Sequence, residues 1–228
     1  MGTVFITGAN RGLGLEFVKE FTEKNYKVIA TCRSPNSSSD LSNLAKSHLT
    51  IQMHQLDVSN TKNIQDLSNH LKNEPIDILI NNAGIYRSGS FSSVNKDSWV
   101  ESFVTNTIGP YEVIENFLPN VLQGLEKKIV SITSKMGSID DNSSGGSYIY
   151  RSSKTALNSM MKSLTQDLKS HDISTVTLHP GWVRTDMGGP GGWIDVKESV
   201  SGMINQISNL SLQNTGRYID YAGKPIKW

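Results

Sequence analysis

Residues 3–14 read Thr3-Val4-Phe5-Ile6-Thr7-Gly8-Ala9-Asn10-Arg11-Gly12-Leu13-Gly14, and this stretch decides the fold. Residues 4–7 form a β-branched and aromatic run that predicts a strand. Leu13, Phe17, Val18 and Phe21 then recur at helical spacing. The turn between them is G-x-x-x-G-x-G, not the more familiar G-x-G-x-x-G. Glycines at Gly8, Gly12 and Gly14 let the backbone turn sharply and approach a pyrophosphate, and the helix behind them points free N–H groups at the anion. A glycine-rich strand-to-helix turn that binds nothing is the plainer alternative.

The same alternation continues down the chain. Strand-like runs fall at residues 27–32, 50–56, 76–80, 128–133, 173–179 and 217–220. Helical patterns lie between them at 41–47, 61–71, 96–122, 148–170 and 196–210. Pro110 and Pro119 are expected to bend or end the long pattern at 96–122. The run Ile76-Asp77-Ile78-Leu79-Ile80 suits a strand buried on both faces. Strand–helix alternation this regular predicts parallel strands joined by crossover helices in one doubly wound α/β sheet. No linker or composition shift marks a second domain in residues 1–228. Ligands of such sheets bind beyond the carboxyl ends of the strands.

Composition narrows the partners. With 22 Lys and Arg against 21 Asp and Glu, the net charge is +1, so no global field draws the chain to nucleic acid or an anionic membrane surface. The single cysteine, Cys32, cannot form an internal disulfide, and five scattered histidines show no metal-ligand spacing. No apolar run approaches the roughly 20 residues of a membrane span. Residue 6 of the N-terminal Met1-Gly2 stretch is Ile6, where a myristoylation signal needs Ser or Thr. A cytoplasmic protein is the expectation.

The ends of the predicted strands carry candidate binding groups. An NAD site usually has an acid after the second strand to accept from the ribose 2′-OH. Here that place reads Cys32-Arg33-Ser34. Arg33 and Arg11 can both face a 2′-phosphate, which guanidinium matches bidentately, so NADP(H) is expected over NADH. Asp57 can accept from an adenine amino group, or it can serve the start of the next helix with Ser59 and Asn60. Asn81 and Asn82 before Gly84 can be simple turn formers.

Tyr150 and Lys154 lie four residues apart on a predicted helix and so share one face. A nearby ammonium favours phenolate and lowers a tyrosine pKa. Tyr150 can then give a proton to a carbonyl oxygen as hydride reaches the carbon. Ser134, just past the fifth strand, can hydrogen-bond that same oxygen. Asn106 is a mediocre helix former inside a helical pattern and needs a reason to be there.

Taken together, residues 7–14, 81–84, Asn106, Ser134 and Tyr150-Arg151-Ser152-Ser153-Lys154 resemble the classical short-chain dehydrogenases/reductases in order and spacing. Pro180-Gly181-Trp182-Val183-Arg184-Thr185 resembles that family's P-G-x-x-x-T segment. Residues 148–158 and 180–189 further resemble its C-factor/Sniffer-like carbonyl reductase subgroup. The resemblance covers nearly the whole chain. It implies a single Rossmann-type domain of about seven strands in the order 3-2-1-4-5-6-7.

The resemblance also implies roles. Tyr150 is the proton donor or acceptor, and Lys154 binds the nicotinamide ribose and lowers the tyrosine pKa. Ser134 orients the substrate carbonyl, and Asn106 supports a water relay. Gly8, Asn10, Arg11, Gly12, Leu13 and Gly14 hold the pyrophosphate side. Asp57 and Val58 flank the adenine, and Asn82, Ala83 and Gly84 close the neighbouring strand end. Pro180, Gly181, Val183 and Thr185 hold the carboxamide end. Arg11, just before the second glycine, accompanies NADP preference. The segment between Ser134 and Tyr150 is longer than the family's usual spacing, with residues 140–146 as the insertion, which leaves Ser131 and Ser138 as alternative serines.

On the substrate side, Met136, Trp182, Met187 and Trp193, with Tyr86 and Ile194, fall in loops at the cofactor end of the sheet. They suggest a hydrophobic carbonyl substrate, against the alternative of ordinary loop packing. Residues 188–192 (Gly-Gly-Pro-Gly-Gly) can hinge a lid or form a loop without function. The expected activity is NADPH-dependent reduction of an aldehyde, ketone or quinone. The alternatives are a dinucleotide-binding signalling protein with little turnover, and an epimerase or dehydratase of the extended relatives. The glycine spacing argues against the last. The helices around 96–122 and 148–170 suggest a homodimer or homotetramer.

Overall fold

The structure, a computed structural model, describes Met1–Trp228. Its strands are β1 (Thr3–Ile6), β2 (Lys27–Cys32), β3 (Ile51–Gln55), β4 (Ile78–Asn81), β5 (Lys128–Ile132), β6 (Ser174–His179) and β7 (Arg217–Asp220). All pair in parallel in one sheet ordered β3-β2-β1-β4-β5-β6-β7, as expected. The helices are α1 (Gly12–Glu23), α2 (Ser39–Ser47), α3 (Thr61–His70), α4 (Lys96–Phe103), α5 (Gly109–Gln123), α6 (Tyr148–Leu168) and α7 (Val196–Ser208).

Strand periodicity divides the core in two, because successive side chains point to opposite faces. Val4, Ile6, Ile78, Ile80 and Val130 pack against Phe17, Val18 and Phe21 of α1 and Val200, Met203 and Ile207 of α7. Phe5, Leu79 and Ile129 face the other way, onto Ile64 of α3, Val113 and Phe117 of α5, and Leu157 and Met161 of α6. Phe5 and Phe117 meet with ring centroids 4.4 Å apart. A one-residue slip of β1 would exchange these faces, so the apolar pattern pins its register.

The long pattern at 96–122 departs from expectation. Neither proline ends it. Pro110 stands in the first turn of α5, directly after a wider turn of the same continuous helix. Pro119 lies inside the same helix on an exposed face, where water reaches the carbonyl it leaves free. The irregularity is a π turn at Val104–Ile108 between α4 and α5. No helix is long and apolar enough to cross a membrane.

The strand order reverses beside β1, whose neighbours are β2 and β4. Crossovers leave these strands in opposite directions, which opens a cleft at their carboxyl ends. The glycine turn, Asn82 and Ser134 all follow strands on that side.

Candidate active site

The glycine turn is built by the strand next to it. Thr7 Oγ1 accepts from the N–H groups of Asn82 and Ala83, both at 3.0 Å. Asn82 Nδ2 returns bonds to the carbonyls of Thr7 (2.9 Å) and Gly8 (3.0 Å). Asn82 is therefore a brace between two strand ends rather than a turn former. Gly8 has φ +66°, and a Cβ on Gly14 would stand 2.1 Å from the Gly8 carbonyl oxygen, so neither place admits another residue without displacement. Helix α1 starts behind this turn with no side-chain cap and no acid in its first turn. Its first N–H groups remain available to an anion.

The two arginines differ. Arg33 is exposed beyond β2. Arg11 reaches across the cleft, and its Nη1 donates to Asp186 Oδ2 at 2.5 Å. Thr185 lies beside the glycine turn as well, since a Cβ on Gly12 would come within 3.6 Å of its methyl group. Asp57 serves its own turn: Oδ1 accepts from Ser59 N at 2.9 Å and Ser59 Oγ at 2.6 Å. The cap of α3 is Asn60, which accepts from Asn63 N at 3.0 Å. Val58 is buried beside Asp57. Asn81 turns away, donating to the Pro110 carbonyl at 3.1 Å.

The π turn explains Asn106. Its Nδ2 donates to the Ile85 carbonyl (2.9 Å) and to Ser153 Oγ (3.0 Å), while its Oδ1 accepts from Ile85 N–H (2.8 Å). The fully buried side chain clamps the backbone after Gly84 to α6. Both the nitrogen and the oxygen of its side-chain amide are thereby engaged.

Tyr150 and Lys154 share the inner face of α6 and are buried. Lys154 Nζ donates to the Ile132 carbonyl at 2.9 Å and stands 5.9 Å from the Tyr150 ring centroid. Burial pushes the Tyr150 phenol up to about 12, a hydrogen bond with Ser134 opposes the rise, and Tyr86 adds to it. Burial also lowers Lys154 to about 8. Burial thus moves the phenol in the direction opposite to the one expected from the neighbouring ammonium. Desolvation outweighs an ammonium that sits over the ring and bonds to a carbonyl. The phenol holds its proton at neutral pH.

Ser134 follows β5 in extended backbone, and its Oγ accepts from Met136 N–H at 3.1 Å beside Tyr150. The other serines are occupied elsewhere. Ser131 Oγ contacts Met161 Sδ in the core at 3.2 Å. Ser138 Oγ donates to the Trp228 carbonyl at 3.3 Å and accepts from Asp141 N–H at 3.1 Å.

Pro180 anchors the segment after β6, accepting at its carbonyl from Ser199 Oγ at 2.6 Å. Val183 pairs with Ile194, and Gly181 packs close to Ile194 and Tyr221. Residues 188–192 are tied down at several points. Gly188 N–H donates to Thr185 Oγ1 at 3.1 Å, Gly189 N–H to the Thr185 carbonyl at 2.7 Å, and Arg184 Nη1 to the Gly192 carbonyl at 2.9 Å. Trp182 and Trp193 meet edge to face at 5.2 Å, and Trp182 Nε1 donates to the Gly188 carbonyl at 2.7 Å. Trp182, Met187 and Trp193 are exposed. Met136 is separate: it lines an open cavity of about 540 Å³ against the outer face of α6, with Ser138, Arg151 and Thr155. The ring of Tyr86 covers Tyr150 at 4.9 Å, with its hydroxyl 3.2 Å from Ser147 Oγ.

Residues 2–191 match the short chain dehydrogenase family. The C-signal protein of Myxococcus xanthus is 41% identical over 157 residues, covering 68% of this chain and 93% of that protein. The carbonyl reductase Sniffer of D. melanogaster superimposes with a TM-score of 0.95 at 34% identity over 100% of both chains. An NADPH-bound carbonyl reductase from chicken fatty liver superimposes at 0.93, with 35% identity over 99% of this chain and 98% of that one. With the glycine turn, the braced strand end and the Ser134–Tyr150–Lys154 cluster on one side of this sheet, the chain belongs to the short chain dehydrogenase family.

Proposed function

We propose that the protein reduces a hydrophobic aldehyde, ketone or quinone to the alcohol with NADPH. The observation that carries this reading is a buried phenol, Tyr150, beside Ser134 and Lys154 at the same sheet end as the uncapped helix α1. The chain's residues fit NADPH. Gly8, Asn10, Gly12, Leu13 and Gly14 would receive the pyrophosphate against free N–H groups. Arg11 and Arg33 would meet a 2′-phosphate. Asp57 and Val58 would border the adenine. Asn82, Ala83, Gly84, Pro180, Gly181, Val183 and Thr185 would line the rest, with Lys154 at the ribose. The bound cofactor supplies the hydride.

Ser134 then donates to the substrate carbonyl oxygen and fixes its direction. Tyr150 gives that oxygen its proton as charge develops there. The resulting phenolate regains a proton from solvent through Lys154, whose lowered pKa suits both giving and taking near neutral pH. Trp182, Met187 and Trp193 supply the apolar approach.

NADPH oxidation against a panel of aldehydes, ketones and quinones tests the reading, with Tyr150→Phe as control. Turnover should fall by roughly 10²–10⁴-fold in that variant. The likeness to a protein called C-signal motivates a second reading, a dinucleotide-binding signalling protein. Tight NADPH binding with no turnover on any carbonyl would decide for it.

A further inference from the structure

We infer that Tyr218, in the edge strand β7, is a positioning residue that sets the direction of the Ser134 hydroxyl by holding the Ser134 main-chain carbonyl. The inference rests on the proposed role of Ser134. Tyr218 is 3% exposed, and its hydroxyl donates to the Ser134 carbonyl at 2.6 Å.

Ser134 needs such an anchor because the sheet stops before it. The last ladder bond of β5 is from Thr133 N–H to the Leu178 carbonyl at 2.8 Å. One residue later the chain leaves the sheet for a short 3-10 turn, Lys135–Gly137. Within the turn the Ser134 carbonyl is met only by Gly137 N–H at 2.8 Å. That bond moves with the turn itself, whereas Tyr218 ties the carbonyl to the sheet. A serine hydroxyl has a single side-chain torsion, so the peptide plane largely decides where it can point.

The tyrosine is itself held. Its ring meets Trp228 at 5.3 Å, and Lys162 Nζ lies 5.1 Å over the Trp228 ring. The Trp228 carbonyl accepts from Ile139 N–H at 3.2 Å, Asp140 N–H at 3.1 Å and Ser138 Oγ at 3.3 Å. From α6, Asn158 accepts from Thr133 Oγ1 at 2.7 Å and donates to the Gly137 carbonyl at 3.2 Å. The serine turn is thus clamped between α6 and the Tyr218–Trp228 pair. Phenylalanine would fill the same core volume, and the Ser134 carbonyl would keep Gly137 as donor, so the hydroxyl contributes little to stability beyond one bond. Its distinct contribution is to the serine.

The test is a double-mutant cycle of Tyr218→Phe and Ser134→Ala. Tyr218→Phe should lower kcat about tenfold, the scale at which small misplacements act. The melting temperature and the NADPH dissociation constant, read by cofactor fluorescence, should stay close to wild type. In the Ser134→Ala background the same substitution should change kcat less than about twofold, because no serine remains to be aimed. Equal losses in both backgrounds, or a loss of kcat that follows the melting temperature, would overturn the inference. Full kcat in Tyr218→Phe beside an impaired Ser134→Ala overturns it alone. Full kcat in Ser134→Ala overturns the serine's role and this inference with it.

Discussion

Arg11 Nη1 and Asp186 Oδ2 meet at 2.5 Å, joining the glycine turn to the loop after β6 across 175 residues of sequence. Both side chains are largely exposed, so the pair adds little stability, on the order of 0–1 kcal/mol. Its consequence lies with the cofactor, since a carboxylate at the guanidinium competes with a phosphate for the same donors. Asp186→Asn should lower the KM for NADPH by about two- to fivefold and leave that for NADH unchanged, the scale of an exposed ion pair. The difference should shrink at high salt. Steady-state kinetics with both cofactors at two ionic strengths check this; a raised KM for NADPH would mean that Asp186 aims Arg11 instead of competing for it.

Arg33, the other candidate phosphate contact, is exposed beyond β2. Replacing it with Asp puts an acceptor where a ribose 2′-OH would lie and repels a 2′-phosphate. Arg33→Asp should shift the NADPH/NADH ratio of kcat/KM toward NADH by at least about tenfold, the worth of one charge-assisted contact. Unchanged NADPH selectivity would remove Arg33 from the site.

Lys154 links pH to stability. Its pKa is lowered from 10.5 to about 8 by burial, so between those values the unfolded chain binds more protons than the folded one. Stability therefore rises with pH across that window. Above pH 10 the raised pKa of Tyr150 works the other way, because the folded state then retains the proton. Urea titrations should show a gain between pH 8 and 10 in the wild type that is absent in Lys154→Met. A parallel pH profile in the two proteins would contradict the burial of a neutral amine.

Asn106 offers a stability test of the π turn. Asn106→Ala strips Ile85 of partners for both its N–H and its C=O in a part-buried setting. The loss should be roughly 1–3 kcal/mol, two part-buried polar groups left without their partners. Chemical denaturation measures it, and a loss below about 0.5 kcal/mol would show that Ile85 finds other partners.

Much of the architecture is legible in the sequence, and the reason is local. Periodicity of two and of 3.6 is written in consecutive residues, so β1, α1 and the buried run of β4 read directly from their side chains. The four-residue spacing of Tyr150 and Lys154 likewise places them on one helix face whatever surrounds them. The π turn was not legible, because helical periodicity through residues 96–122 hides a single wider turn. The prolines misled for the same reason: a proline reads alike in a first turn, on an exposed face or at a break.

The sequence alone was enough for the strand–turn–helix unit, its glycines and the helical pairing of tyrosine and lysine, all set by neighbours in the chain. The fold had to choose among Ser131, Ser134 and Ser138, to set Asp186 against Arg11, and to bring Tyr218 behind Ser134. Those contacts depend on strand order, which brings β5 and β7 to either side of β6 and leaves no trace in local spacing. The direction in which the Tyr150 pKa moves was likewise decided by burial. The sequence suggested a charge effect between two neighbours, and the packed core made desolvation the larger influence.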